Sequence, residues 1–197
     1  MDGFEFSLGQ ARSHIEKLQK EKVAMQETIE YMQSQSMRNN LIFSGVEESD
    51  SEEKPEVTEG KLRAVLVDKM KLARDYVASL KLERVHRIGD MSASNPGRRT
   101  PKYRHIVVKF TFFKDREIVR RASSSLRGTG IFINEQFPKE VAERRRALMP
   151  LLRKAREEKK KAWISYDTLY IDGVKVKVPE SANVANSASS SSETMSA

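Results

Sequence analysis

Apolar residues recur at alternating spacings of three and four near the start of the chain: Leu8, Ala11, Ile15, Leu18, Met25, Ile29 and Met32, with Lys22 at the one polar slot. A stripe that repeats every seven residues lies on one side of an α-helix and packs against a partner helix of the same period. The rest of this segment is polar, so the helix alone buries too little area to be stable. The pattern therefore predicts a coiled coil over residues 1–37, with these eight positions as its oligomerisation seam. A lysine in the seam sets register or strand number at some cost in stability. The alternative use of the stripe is a helix folded back on the body of the chain. Ser34, Gln35 and Ser36 end it.

The pattern then changes to short strands and helices. Residues 41–46 form a β-rich run closed by Gly45 and an acidic stretch. After Pro55, the residues Leu62, Val65, Leu66, Lys69, Met70 and Ala73 share one helical side. Residues 80–88 alternate as a second strand, residues 89–101 read as a loop, and residues 105–113 carry the strongest strand signal. A helix over 116–126 and a strand over 131–133 complete a βαββαβ order across residues 38–137. That order predicts a four-stranded antiparallel sheet with both helices on one face. Pro138 opens a further helix reaching about Lys161, with a kink or break expected near Ala147 because Pro150 removes a backbone donor. Residues 163–166, 168–171 and 174–178 read as strands, with Asp172-Gly173 as the last hairpin turn. The predicted fold class is α+β, with residues 138–179 as a small C-terminal domain and the Ser-rich residues 180–197 as a disordered tail.

The formal charge of +8 on 197 residues conceals a strong asymmetry. Residues 98–161 hold 20 Lys+Arg against 7 Asp+Glu, whereas residues 47–59 hold seven acids and Lys54. Charge separated this way makes a directional field suited to a polyanion. The acidic run reads as a solvated loop that repels nucleic acid from the wrong edge. The chain has no cysteine, which excludes disulfides, thiolate metal sites and cysteine nucleophiles. No apolar run nears the roughly 18 residues that span a bilayer, and the first residues carry no secretory pattern, so a soluble intracellular protein is expected. His14, His86 and His105 stand without a serine or carboxylate at a telling spacing, and no phosphate-binding loop or metal cluster is legible. Neither an enzyme nor a cofactor is expected.

The βαββαβ order resembles that of an RNA recognition motif, a module that reads single strands on its sheet. Alternation puts Leu41, Phe43, Ile106, Val108 and Phe110 in the core, and Ile42, Tyr103, His105, Val107 and Lys109 on the open face. The motif's two central stacking aromatics would fall at Ile42 and Val107, and both are absent. The closer resemblance lies in a combination of segments. A coiled coil, then Arg38-Asn39-Asn40-Leu41 with Gly45-Val46-Glu47-Glu48, then residues 104–110 (RHIVVKF), is similar to the first-open-reading-frame RNA-binding protein of LINE-type retrotransposons. Residues 144–150 (RRRALMP) followed by 163–170 (WISYDTLY) resemble that family's C-terminal domain. The resemblance implies a homotrimer whose two domains clamp single-stranded RNA, or single-stranded DNA. It further implies nucleic acid chaperone activity and packaging of the element's transcript in a ribonucleoprotein particle, cytoplasmic and in part nuclear.

The same resemblance carries basic positions onto Arg38, Arg87 and Arg104. Physical grounds add Arg98, Arg99 and Lys102 in the loop, where long cations reach phosphates without desolvation. They also add Lys109, the adjacent Arg144, Arg145 and Arg146, then Arg153, Lys154, Lys175 and Lys177. Tyr103 and His105 are the stacking candidates, whereas Trp163 and Tyr166 read as core. Neither a membrane nor a small-molecule substrate is expected as a partner. The competing reading from another class is a coiled-coil assembly adaptor whose motif domain binds protein, favoured by the missing aromatics.

Overall fold

In a computed structural model, residues 2–49, 53–89 and 103–176 are described, the first four of them as backbone only. The chain divides into two compact units, Met1–Phe137 and Pro138–Ala197.

The first unit begins with α1 (Asp2–Met37), one continuous helix of 36 residues. Every side chain described from Phe6 to Ile29 is exposed, so the helix is not folded back on the body of its own chain. Met25 and Met32 of the heptad seam are 62% and 64% exposed, and Leu8, Ile15, Leu18 and Ile29 are exposed with them. Then follow β1 (Asn40–Ser44), α2 (Pro55–Ala64), a π-helical turn (Val65–Lys69), α3 (Arg74–Ser79) and β2 (Leu82–Ile88). β3 (His105–Phe110), α4 (Phe113–Arg121), a 3-10 turn (Ala122–Leu126) and β4 (Phe132–Glu135) complete the unit. The strands form an antiparallel sheet in the order β2-β3-β1-β4.

Alternation selects the face that builds the core. Leu41, Phe43, Ile106, Val108 and Phe110 are fully buried against Leu62 and Leu66 of α2 and its extension and Val119 of α4. Both principal helices therefore cover the same side of the sheet. Three boundaries differ from the sequence pattern. β3 ends at Phe110 and Phe113 opens α4, since Phe112 and Phe113 are exposed and add nothing to the ladder. The second helix stops earlier than the apolar spacing implies, with Lys71 in the left-handed region (φ 62) and the Leu72 N–H bonded back to the Leu66 carbonyl at 3.1 Å. α3, to which the sequence pattern assigned no element, turns Val77 into the core and leads to the buried Leu80.

The second unit holds α5 (Lys139–Glu157) and a sheet of β5 (Ala162–Ser165), β6 (Thr168–Ile171) and β7 (Val174–Val176). α5 runs through Pro150 without a break. The lost hydrogen bond is offset because Leu148, Leu152 and Ala155, on both sides of the proline, are buried with Ala162 and Leu169 in one small core. Asp172-Gly173 makes the β6–β7 turn with φ of 51 and 86, the conformation this pair tolerates.

Among the described glycines, Gly45 is the one with no room for a side chain. It sits at φ +84, and a Cβ there would collide with the Gly130 carbonyl ahead of β4. Gly45→Ala is expected to lower stability by about 2–4 kcal/mol, combining backbone strain with a steric clash. Urea unfolding followed by circular dichroism reads this as a lowered midpoint, and an unchanged midpoint would show that the turn has another conformation available.

Candidate nucleic-acid interface

Two carboxylates of the acidic run, Glu48 and Glu53, are drawn into the fold instead of standing in solvent, while Glu47 and Glu56 are exposed. The Glu53 carboxylate is 1% exposed and accepts hydrogen bonds from the Arg87 Nε and Nη2 at 3.1 and 3.0 Å. Glu53 also accepts from the Thr58 hydroxyl at 2.8 Å, the Ser49 N–H at 3.1 Å and the Lys61 ammonium. Burial raises the carboxyl's pKa, but these donors outweigh it and hold the group at about 2, below its usual 4.5. Arg87, 2% exposed, spends its remaining N–H groups on the carbonyls of Val46, Arg104 and Glu47 at 2.8, 2.9 and 2.6 Å. A guanidinium has five N–H donors, and here all five have protein acceptors.

Arg87 is thus placed as a structural residue, with no donor left for a phosphate. The strand pattern carried the sign of this: Arg87 is paired with the core residue Ile106 and lies two residues beyond the buried Val85. A cation on the core side of a sheet has to find its acceptors within the protein. Arg104 pairs with the second buried carboxylate while keeping 22% of its side chain exposed. Its Nε donates to Glu48 Oε1 at 2.8 Å and its backbone N–H to Oε2 at 3.2 Å. Burial raises the Glu48 pKa, and the bonds and charge from Arg104, with the Arg87 charge, bring it below its ordinary value.

The sheet's other face is ordered in rows by the strand pairing. His86, Val107, Ile42 and Asn134 form the central row, and Lys109 lies opposite Asn40 in the next. Val107 is only 4% exposed even though it points away from the helices, which corrects its assignment to an open position. Ile42, Tyr103, His105 and Lys109 are half-buried. Lys109 donates to Glu83 at 2.7 Å. The Nδ1 atoms of His86 and His105 and the Oδ1 of Asn40 are buried beneath this face without a hydrogen-bond partner among the described residues. Burial, and next to it the Arg84 charge, lowers the His86 pKa. Phe132, on the edge strand, is the exposed aromatic of the face.

In the second unit the three consecutive arginines divide their work. Tyr166, in the β5–β6 turn, has φ 52, a strained value for a residue with a side chain. Arg145 donates to its carbonyl, and Arg144 Nε donates to the neighbouring Asp167 carboxylate at 2.8 Å. Arg144 and Arg145 therefore fasten the hairpin to α5, while Arg146 is exposed. With about 100° per residue, Lys139, Arg146 and Arg153 fall within about 40° of one another on the side of α5 opposite Leu148. All three are exposed, as are Lys154 and Lys175. Glu143 and Glu157 share that side, so the stripe is cationic but not purely so. Trp163 and Tyr166 are 37% and 42% exposed, which overturns their reading as core. Arg38, just beyond α1, is exposed, with Gln35 Oε1 at 3.4 Å from its Nη1. Arg98, Arg99, Lys102 and Lys177 lie outside the described residues.

Among the described residues no group of His, Asp and Glu is arranged to hold a metal ion. No helix there is long and apolar enough to cross a membrane. No protein-family model matches the chain, and no curated protein is significantly similar to it.

The Glu53 site sets a pH dependence of stability. The unfolded carboxyl, at 4.5, takes up its proton before the folded one, at about 2. Its contribution is therefore complete above about pH 5 and is lost as pH falls through the folded value, a change on the order of 3 kcal/mol. Glu53→Gln is expected to remove much of this acid-side slope and to cost about 3 kcal/mol at neutral pH by leaving Arg87 short of its charge partner. Denaturant melts of both proteins from pH 7 to pH 3 check this, and parallel pH profiles would assign the acid sensitivity to other carboxylates.

Proposed function

We propose that this chain is a single-stranded nucleic-acid-binding protein, acting first on RNA. It self-associates through α1 as a homotrimer and works as a nucleic acid chaperone in a cytoplasmic ribonucleoprotein particle. The observation that carries the reading is the exposed cationic stripe of Lys139, Arg146 and Arg153. It lies in a segment, 139–161, with ten Lys+Arg against four Glu. Two further features support it. The strand order β2-β3-β1-β4 suits an RNA-recognition-motif-like arrangement of residues 38–137, and the sequence resembles the RNA-binding protein of LINE-type retrotransposons. The exposed heptad seam of α1 supports self-association, because an apolar stripe of that length gains from pairing with copies of itself.

The binding mode follows from what the sheet lacks. Without aromatics at Ile42 and Val107, the sheet lacks rings at the motif's two central stacking positions, so phosphate contacts dominate affinity. Such binding weakens steeply with salt, by a slope of about −0.7 per phosphate neutralised on a single strand. Anisotropy of a labelled U-rich oligonucleotide at a series of salt concentrations is expected to show that slope. Arg146→Ala with Arg153→Ala should reduce its magnitude by about one to one and a half. A flat salt response rejects phosphate clamping. Light scattering on the same samples should report three chains per particle, and a monomer rejects the coiled coil. RNA binding unaffected by the arginine changes, beside a protein partner that needs only α1, would favour the assembly-adaptor reading.

A further inference from the structure

The register of the C-terminal sheet sorts its side chains by face. Ala162 and Leu169 are buried against α5, and Ile164, Ile171 and Val176 pack on the same cluster. Trp163 pairs with Tyr170, and Tyr170 pairs with Lys175, so these three residues project from the opposite face. The Trp163 and Tyr170 rings stack with centroids 5.5 Å apart and planes 9° from parallel. Lys161, two residues before Trp163 and on the same face, holds its ammonium 5.8 Å from the indole centroid. Lys175 is exposed at the other side. Asp172 stands nearby and accepts from the Lys161 backbone N–H at 2.9 Å.

We infer that this outer face is a base-stacking subsite for single-stranded nucleic acid, with Trp163 and Tyr170 receiving an unstacked base and Lys161 and Lys175 meeting the phosphates on either side. The inference rests on the nucleic-acid reading above and adds what that reading lacked. The aromatic platform missing from the central row of the first unit's sheet is present on the second unit's sheet. Trp163 keeps 37% of its surface in solvent, the Lys161 ammonium lies over its indole, and Lys175 stands across Tyr170. That combination fits a ligand that is flat, apolar on its faces and anionic along its backbone. A free cation or an acidic peptide would use only half of it. A cross-strand aromatic pair also stiffens a small sheet, so the test needs a readout that hairpin stability does not move.

The chain has a single tryptophan, and it is Trp163, so intrinsic tryptophan emission reports from this site alone. The full-length protein is titrated with a labelled U-rich oligonucleotide while oligonucleotide anisotropy and tryptophan emission are read in parallel. Quenching that saturates with the anisotropy change is expected, whereas heparin, a polyanion without bases, should bind without quenching. Trp163→Ala should weaken oligonucleotide binding about 5- to 150-fold, and Trp163→Phe should restore most of it. Should Trp163→Ala fail to fold, the emission of the unaltered protein still decides. Tight binding with unchanged emission, or with a Trp163→Ala affinity equal to that of the unaltered protein, overturns the subsite and leaves phosphate binding intact. Absence of any anisotropy change at low salt overturns the nucleic-acid reading itself and the subsite with it.

Discussion

The buried pair of Arg87 and Glu53 is the interaction on which the first unit depends. Taking a guanidinium and a carboxylate out of water costs several kcal/mol for each ion, and their attraction repays this only where the remaining donors and acceptors are also satisfied. Here the completion is internal. Arg87 gathers the carbonyls of Val46, Glu47 and Arg104, while Glu53 gathers Thr58, Lys61 and the Ser49 N–H. The network joins the exit from β1, the first turns of α2, the end of β2 and the approach to β3. It holds a connection of charged residues against the sheet, where hydrophobic contact alone could not.

The same pairing shapes the field that the protein presents. Two carboxylates of the acidic run are spent inside the fold, and two arginines are spent with them. Arg63 is committed as well, donating to the Val77 and Leu80 carbonyls at the end of α3. Arg116, 4% exposed, binds Glu117 and Glu135. The charge available to a polyanion is therefore a subset of the charge in the chain. Among the described residues the exposed cations are densest in the second unit, where nine Lys and Arg within residues 139–175 face solvent. The stacked pair of exposed Trp163 and half-buried Tyr170 accompanies them there, so the proposed phosphate contacts and the proposed base stacking would fall on one unit.

Much of the fold was legible in residue periodicity. The seven-residue repeat marked α1, alternation marked the faces of β1 and β3, and Asp172-Gly173 marked the final hairpin. The errors have physical sources. The proline in α5 was weighed by its local cost alone, yet packing of Leu148, Leu152 and Ala155 keeps the helix whole. Trp163, large and apolar, reads as core from the sequence alone. Its strand has a second apolar face, Ala162 and Ile164, and only pairing with β6 decided which face meets α5. α3 escaped notice because it is six residues long and helical periodicity needs more length to declare itself.

The candidate site was legible as an amount of charge and not as a set of groups. By itself the sequence determined most of the elements, the buried face of the main sheet, the heptad stripe of α1 and the excess of cations in the second half. These follow from local patterns that any conformation of the backbone must respect. The tertiary structure alone decided which cations reach solvent, because an arginine's partner can lie forty residues away, as Glu47 does from Arg87. Whether a charge is a binding group or a strut is a property of its surroundings, and those surroundings exist only once the chain has folded.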